Sequence, residues 1–505
     1  MTEDPYAALR ETHTSVVLLV GDRAYKIKKP VRLPFVDLST RERRRHNCDE
    51  ELRLNRRLAP DVYLGVQELG DGDLPAGSGE PVVVMRRMPE ARRLSAILAA
   101  GGAAEACVRE VARQVATMHA AEEPVWDYRL ARTMGSLWDE GHDQMRPFAG
   151  EVVDGALLDQ VHALATEYLR GRSGLLDRRE RGGLVRDGHG DLLTDDIFCL
   201  DDGPRILDCL EFDRRLRLGD VLADLAFLAM DLELHGAPEL ARLLVDRYRH
   251  LDAETHPRTL EHHYVAYRAF VRSKVECLRL HQGDPDSAGR ARTLLDLTDR
   301  HLRVGRVHLV LVGGLPGSGK STLAQAITDA DPGREWAAIS TDVVRKELAG
   351  VDPMHACAAA YGQGIYDAGH TEAAYAEALR RAGIALRSGV NVLLDASWTD
   401  PAERARARAC ADARAAALTE LRCEASEEVC LRRLAERQGP RASDADADIH
   451  RAMGARAAGW PEAVSVRTDG DASGAATLAL ELLAQRGVVT PAAAGETGDP
   501  RHAGD

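Results

Sequence analysis

Hydrophobic positions along this chain change their pattern part-way. Near the N-terminus, "SVVLLVGDRAYKIKKPV" predicts strand, turn and strand, because β-branched runs flank Gly21-Asp22. "RERRRHNCDEELRLNRRLA" follows with helical character, Leu52, Leu54 and Leu58 standing among charges. "EPVVVMRRMPE" is another short apolar strand ending in Pro89. From about residue 92 to 180 the spacing is mostly helical; in "EACVREVARQVATMHA", Val108, Val111, Ala112, Val115 and Met118 fall on one face. Two short strands, around "IFCL" and "RILDCL", precede further helices up to residue 304.

The pattern then switches. "VHLVLVGG" is a continuous apolar strand of the kind buried in parallel sheets. Strands "WAAIS", "VNVLLDAS" and "LTELRCEAS" alternate with helices, which predicts an α/β fold with a mainly parallel sheet. The expected division is 1–90 and 91–304 for the two lobes of a first domain, 305–488 for the second, and 489–505 for a polar tail expected to be disordered. No internal repeat is present.

Composition narrows the class. The 505 residues are 45% hydrophobic and 29% charged, as in soluble globular proteins with several domains. No apolar run has the ~20 residues of a membrane span, and the first residues lack the basic and apolar regions of a secretory signal. Nine scattered cysteines, never in a C-x-x-C pair, predict no disulfide or zinc framework and a reducing cytoplasm. A formal charge of −14 argues against a general nucleic-acid binder. Only six of the 66 basic residues are lysines: Lys26, Lys28, Lys29, Lys274, Lys320 and Lys346. An ammonium and a guanidinium act differently at a phosphate, so these six form a shortlist.

Candidate chemistry appears twice. "GGLPGSGKST" satisfies G-x-x-x-x-G-K-[ST] between an apolar strand and a helix. Gly314, Gly317 and Gly319 let backbone N–H groups wrap a polyphosphate, Lys320 reaches the β and γ phosphates, and Ser321, with Thr322 beside it, faces Mg²⁺. Asp342 and Arg345 in "STDVVRKEL" and Asp395 at the end of "VNVLLD" belong at the carboxyl edge of the sheet. The Arg433, Arg437 and Arg441 segment reads as a lid closing over phosphates. A helix cap, a strand-end turn and a solvated surface are the structural alternatives for these three features. This half resembles small P-loop kinases of the zeta-toxin and polynucleotide-kinase kind, which phosphorylate metabolites, nucleic-acid ends or nucleotide sugars.

Earlier in the chain, "HGDLLTDDIF" and "LDCLEFD" resemble the catalytic loop and following strand of aminoglycoside phosphotransferases and their protein-kinase-like relatives. That resemblance implies Asp191 as catalytic base, Asp196 and Asp208 as Mg²⁺ ligands, and a Lys–Glu pair gripping ATP phosphates. Glu51 fits the Glu; strand alternation leaves both Lys26 and Lys28 open as the Lys. "VVVMRRMP" is similar to the hinge contacting adenine. Position 196 departs from the pattern, with Asp where the family holds Asn.

Together the two halves resemble bifunctional aminoglycoside phosphotransferase/ATP-binding proteins. The expected fold is an α+β protein-kinase-like domain followed by an α/β P-loop kinase domain. The expected activity is ATP- and Mg²⁺-dependent phosphoryl transfer by two modules to hydroxyls of small molecules, aminoglycoside- or sugar-like for the first half. A polycationic acceptor would call for an acidic cleft, for which "DLELHG", "DAETH" and "EFD" supply carboxylates. The alternatives are a kinase-like domain kept for binding that gates a single P-loop enzyme, and polynucleotide kinase activity in the second half.

Overall fold

The computed structural model describes residues 5–489, apart from 13, 34–35, 71–78, 253–254, 282, 332–333, 356–361, 437–442 and 471. The chain forms two compact units: Met1–Val153 with Leu176–His256 and Tyr264–Thr298, and Asp154–Leu175 with Pro257–His263 and Asp299–Asp505.

In the first unit, strands β1 (Ala7–Glu11), β2 (Ser15–Val20) and β3 (Arg23–Lys28) lead to helix α1 (Arg41–Asn55) and strands β4 (Tyr63–Leu69) and β5 (Glu80–Arg86). They make an antiparallel sheet ordered β1-β2-β3-β5-β4. The two-residue turn at Gly21-Asp22 sets the β2–β3 register, pairing Val20 with Arg23. Thr40 caps α1 by accepting from the Arg43 amide. The edge strands β1 and β4 carry no sequence signal because they are mostly exposed and alternate poorly. Their existence rests on pairing with β2 and β5.

Helices α2 (Glu105–Ala121), α3 (Leu130–Met145) and α4 (Gly155–Arg181) follow, the last continuing into the second unit's residues 154–175. Next come β6 (Val185–Asp187), β7 (Ile197–Leu200), β8 (Gly203–Ile206) and β9 (Leu218–Asp220), then helices α5 (Val221–Leu234), α6 (Pro238–Asp252), α7 (Arg258–His281) and α8 (Ser287–Val304). Phe198 and Leu207 share one buried cluster with Cys48, Tyr63, Val83 and Met88, so the loop carrying Asp191, Asp196 and Asp208 is packed against α1 and the sheet. The cysteine expectation is corrected here: Cys107 on α2 and Cys199 on β7 form a disulfide across 92 residues of sequence. Scattered spacing hid a pair that the fold brings together, and the cysteine argument for a reducing compartment falls with it.

The second unit holds β10 (His308–Gly313), α9 (Lys320–Ala330), β11 (Trp336–Ser340), α10 (Thr341–Leu348), α11 (Ala368–Arg387) and β12 (Asn391–Asp395). It continues with α12 (Pro401–Ala413), β13 (Ala417–Glu424), α13 (Glu427–Glu436), α14 (Ala447–Arg456), β14 (Val464–Arg467) and α15 (Ala472–Gln485). The sheet order is β11-β12-β10-β13-β14, all parallel, with the fully buried β10 at its centre. Val310, Val312, Leu323, Ile327, Leu393 and Leu421 form the core beneath the phosphate loop. The architecture is the expected one: an α+β protein-kinase-like unit and an α/β P-loop unit. Among the described residues no helix is long and apolar enough to cross a membrane.

Candidate functional sites

In the first unit one carboxylate organises both candidate lysines. Glu51 is fully buried on α1, with Lys26 Nζ 2.8 Å from one oxygen and Lys28 Nζ 2.6 Å from the other. Their second partners separate them. Lys26 reaches Asp208 at 2.5 Å, whereas Lys28 reaches Glu211 at 2.6 Å. Lys26 keeps 14% of its side-chain surface exposed and Lys28 only 1%, so Lys26 is the one of the two that solvent reaches. Burial opposes the charge of Glu51, yet the two ammonium groups hold its carboxyl below the ordinary range.

This difference predicts unequal substitutions. Lys28→Met leaves Glu51 and Glu211 buried with one counter-ion fewer and should cost about 3–5 kcal/mol locally. Lys26→Met keeps Lys28 beside Glu51 and should cost less. Hydrogen exchange of the α1 amides reads this directly; equal protection in the two variants would refute the distinction.

Asp208 lies two residues beyond β8, not within it, at φ +63°. Asp tolerates this left-handed geometry better than a β-branched residue would. The Lys26 charge foremost holds its carboxyl below the ordinary range. Asp196 behaves oppositely: burial, then the charges of Asp208 and Asp191, push its carboxyl well above the ordinary value. Burial also raises Asp191, against Arg272 and Arg268. Asp191, Asp196 and Asp208 are therefore brought within mutual electrostatic reach. Among the described residues no three ligating side chains form a ready-made metal cage. One or two carboxylates completed by phosphate oxygens and water is how Mg²⁺ is ordinarily held, and this donor set fits that pattern.

A buried support, not foreseen from sequence, fixes the loop. Asp224 on α5 accepts from the amides of His189 and Gly190, both at 2.8 Å, and meets His119 Nε2 at 3.0 Å. Burial works against its charge, but the bond and charge of His119 and the His189 contacts hold its carboxyl well below the ordinary range. The signal was present: an Asp inside the apolar run "VLADLAFLAM" must be buried, and a buried carboxylate needs donors. Glu211 carried no comparable signal.

In the second unit the phosphate loop takes the expected form. Gly314 and Gly317 have φ of +140° and +82°, and a Cβ on either would stand 2.6 Å from the Cys423 or Cys430 carbonyl oxygen. Gly319 precedes α9, whose first residues are Lys320, Ser321 and Thr322. Lys320 Nζ donates to the Leu315 carbonyl at 3.0 Å, lying across the loop. Ser321 Oγ donates to Asp395 Oδ2 at 2.7 Å. Burial raises the Asp395 carboxyl, against the Lys320 charge and the Ser321 hydroxyl.

Asp342 stands in the first turn of α10, whose N-cap position is Ser340, so it is not the cap. Arg345 is buried, donating to Thr371 Oγ1 at 2.9 Å and covering the Tyr366 ring. Arg433 Nη2 donates to the Thr468 carbonyl at 2.6 Å, which holds it beside Gly319. Arg437 and Arg441 lie outside the described residues. Two supports were missed: Thr468 Oγ1 donates to the Ser318 carbonyl at 2.7 Å, and His450 Nδ1 donates to the Pro316 carbonyl at 2.8 Å. A cavity of about 350 Å³ opens beside Ser321 and Asp395, with Gln325, Ser340 and the Glu347–Arg381 ion pair in its wall. A larger one, about 810 Å³, lies in the first unit against Asn47 and Phe212, and its Arg43 and Arg215 are committed to Asp37 and Asp213.

Uncharacterized proteins of Mycobacterium tuberculosis and Mycobacterium bovis are 40% identical to this chain over 476 residues, covering 93% of it and 94% of each of them. The chain belongs to their family. Residues 309–459 match the AAA domain family, in agreement with the phosphate loop and the parallel sheet. Solved structures with some likeness include a choline/ethanolamine kinase family protein from Mesorhizobium loti, 16% identical over 60% of this chain and 93% of that one, TM-score 0.38. Aminoglycoside 2'-phosphotransferase-IIIa in its GDP complex is 16% identical over 59% and 94%, TM-score 0.40. A gluconokinase from Sinorhizobium meliloti is 20% identical over 35% and 92%, TM-score 0.26.

Proposed function

We propose that the chain carries two ATP-dependent kinase modules, each transferring the γ-phosphate of ATP to a hydroxyl of a small molecule. The observation that supports this best is the joint arrangement in the first unit: a Lys–Glu pair bonded to Asp208, with Asp191 and Asp196 alongside. In this reading Lys26 contacts the α and β phosphates, and Lys28 holds Glu51 and Glu211 in place. Asp191 takes the acceptor proton, while Asp196 and Asp208 would hold Mg²⁺, which neutralises phosphate charge when bound. In the second unit Lys320 and the loop amides would bind the β and γ phosphates. Ser321 and Asp395 would face the metal, and Asp342 and Asp395 would orient an acceptor entering the 350 Å³ cavity. A cytoplasmic location remains part of the proposal.

The raised Asp196 carboxyl favours a second reading, in which the first unit binds nucleotide without transfer and gates the second. One titration separates the two. If Asp196 serves the metal, ATP should bind the first unit of the Lys320→Ala chain weakly in EDTA and much more tightly with Mg²⁺. Asp196→Asn should reduce that dependence, since one like charge is removed. Flat and equal affinities in all four combinations would leave only the gating reading.

A further inference from the structure

Helix α7 carries Arg272 beside the candidate base and Arg268 one turn earlier on the same face. Arg272 Nη1 stands 3.9 Å from Asp191 Oδ1, beyond hydrogen-bond distance. Among the described residues it has no other ion pair or hydrogen bond. Arg268 is rigid: its Nε donates to the Ala223 carbonyl at 2.8 Å, and its guanidinium lies 4.7 Å from the Phe227 ring centre and 5.7 Å from that of Tyr267. A guanidinium fixed by one nitrogen and two rings presents its remaining donors without further loss of freedom.

Three carboxylates that could receive a polycation are meanwhile engaged within the chain. Asp231 accepts from the Thr194 amide at 2.8 Å and from its hydroxyl at 2.6 Å. Glu211 is paired with Lys28, and Asp213 accepts from the Arg215 amide and is paired with its side chain at 2.7 Å. A guanidinium with open donors beside the candidate base, and nearby carboxylates each already bonded within the chain, favour an anionic group over an ammonium.

We infer that the acceptor of the first unit carries an oxyanion, a carboxylate or phosphate monoester, near the hydroxyl to be phosphorylated, and that Arg272 and Arg268 recognise it. This rests on the proposal that Asp191 is the base. The acceptor oxygen forms the new P–O bond, its proton passes to Asp191, and the bond from the γ-phosphorus to the β–γ bridging oxygen breaks to release ADP. Arg272 therefore serves the acceptor's anion as well as offsetting Asp191.

The test uses the full chain with Lys320→Ala, so that only the first unit transfers label from γ-labelled ATP. The panel comprises gluconate and glycerate, glycerol 3-phosphate, the matched neutral polyols sorbitol and glycerol, and kanamycin. An anionic compound should exceed its neutral match in kcat/KM by about tenfold or more. Which anion does so distinguishes carboxylate from phosphate recognition. Arg272→Gln should shrink that ratio to about threefold or less through KM, and Arg272→Lys should restore part of it. Equal or better use of kanamycin or the neutral polyols would overturn the inference, as would a loss in Arg272→Gln that leaves the ratio intact. If no compound is phosphorylated, calorimetry with a non-hydrolysable ATP analogue and Mg²⁺ decides: anion binding that Arg272→Gln removes supports the inference, and no binding by any anion overturns it. Failure of the underlying proposal looks different, because Asp191→Asn would then leave transfer unchanged.

Discussion

Asp191→Asn in the full chain, with the second unit silenced by Lys320→Ala, is expected to lower phosphoryl transfer by about 10²–10⁴-fold, the usual range for removal of a general base. An amide cannot accept the hydroxyl proton. Burial raises the Asp191 carboxyl from its ordinary value, against the Arg272 and Arg268 charges, which makes its carboxylate a better proton acceptor. ATP affinity should change little, because Lys26, Glu51 and Asp208 are untouched. The loop should keep its shape, since Asp224 holds it through the His189 and Gly190 amides rather than through Asp191. Labelled-ATP transfer and ATP titration on the same preparation check both halves of the expectation. Unchanged turnover would show that this loop is not catalytic.

Lys320→Ala should remove most ATP binding and nearly all turnover by the second unit. One charge-assisted contact to phosphate accounts for about 10–100-fold in affinity, and more where charge builds up during transfer. Among the described residues, the nearby cations are already engaged. Lys346 is buried against Asp444 at 3.1 Å and donates to the His355 carbonyl at 2.7 Å, while Arg433 is held by Thr468. The fold should survive, because among the described residues the Lys320 ammonium makes one hydrogen bond, to the Leu315 carbonyl, across a loop whose shape is set by its glycines. In a calorimetric titration of the full chain, one of two binding phases should disappear. Two intact phases would remove Lys320 from the phosphate site.

The two devices differed in how far they could be read before the fold was known. The phosphate loop is a local object: strand, glycines, Lys320 and Ser321 lie within a few residues, so periodicity and motif predict its geometry directly. The Ser321–Asp395 bond, by contrast, joins residues 74 positions apart and is seen only in the fold. The kinase-like site is assembled from four distant segments, and there the order of parts was legible but their partners were not. Lys26 and Lys28 share one strand face, and alternation cannot rank them. Their ranking comes from Asp208 and Glu211, some 180 residues away, pairing with one lysine each.

The sequence by itself determined the elements whose signal is short in range: the buried strand at 308–313, the strand–turn–strand at 15–28 and the residue types at both candidate phosphate sites. Tertiary structure alone decided the pairing of edge strands β1, β4 and β14, the Cys107–Cys199 disulfide, the Asp224 support and the placing of Arg272 beside Asp191. It also decided that residues 154–175 and 257–263 pack with the P-loop unit. The reason is common to all of these. Each depends on contacts between residues far apart in the chain, where burial and charge pairing select a partner that neither propensity nor periodicity encodes locally.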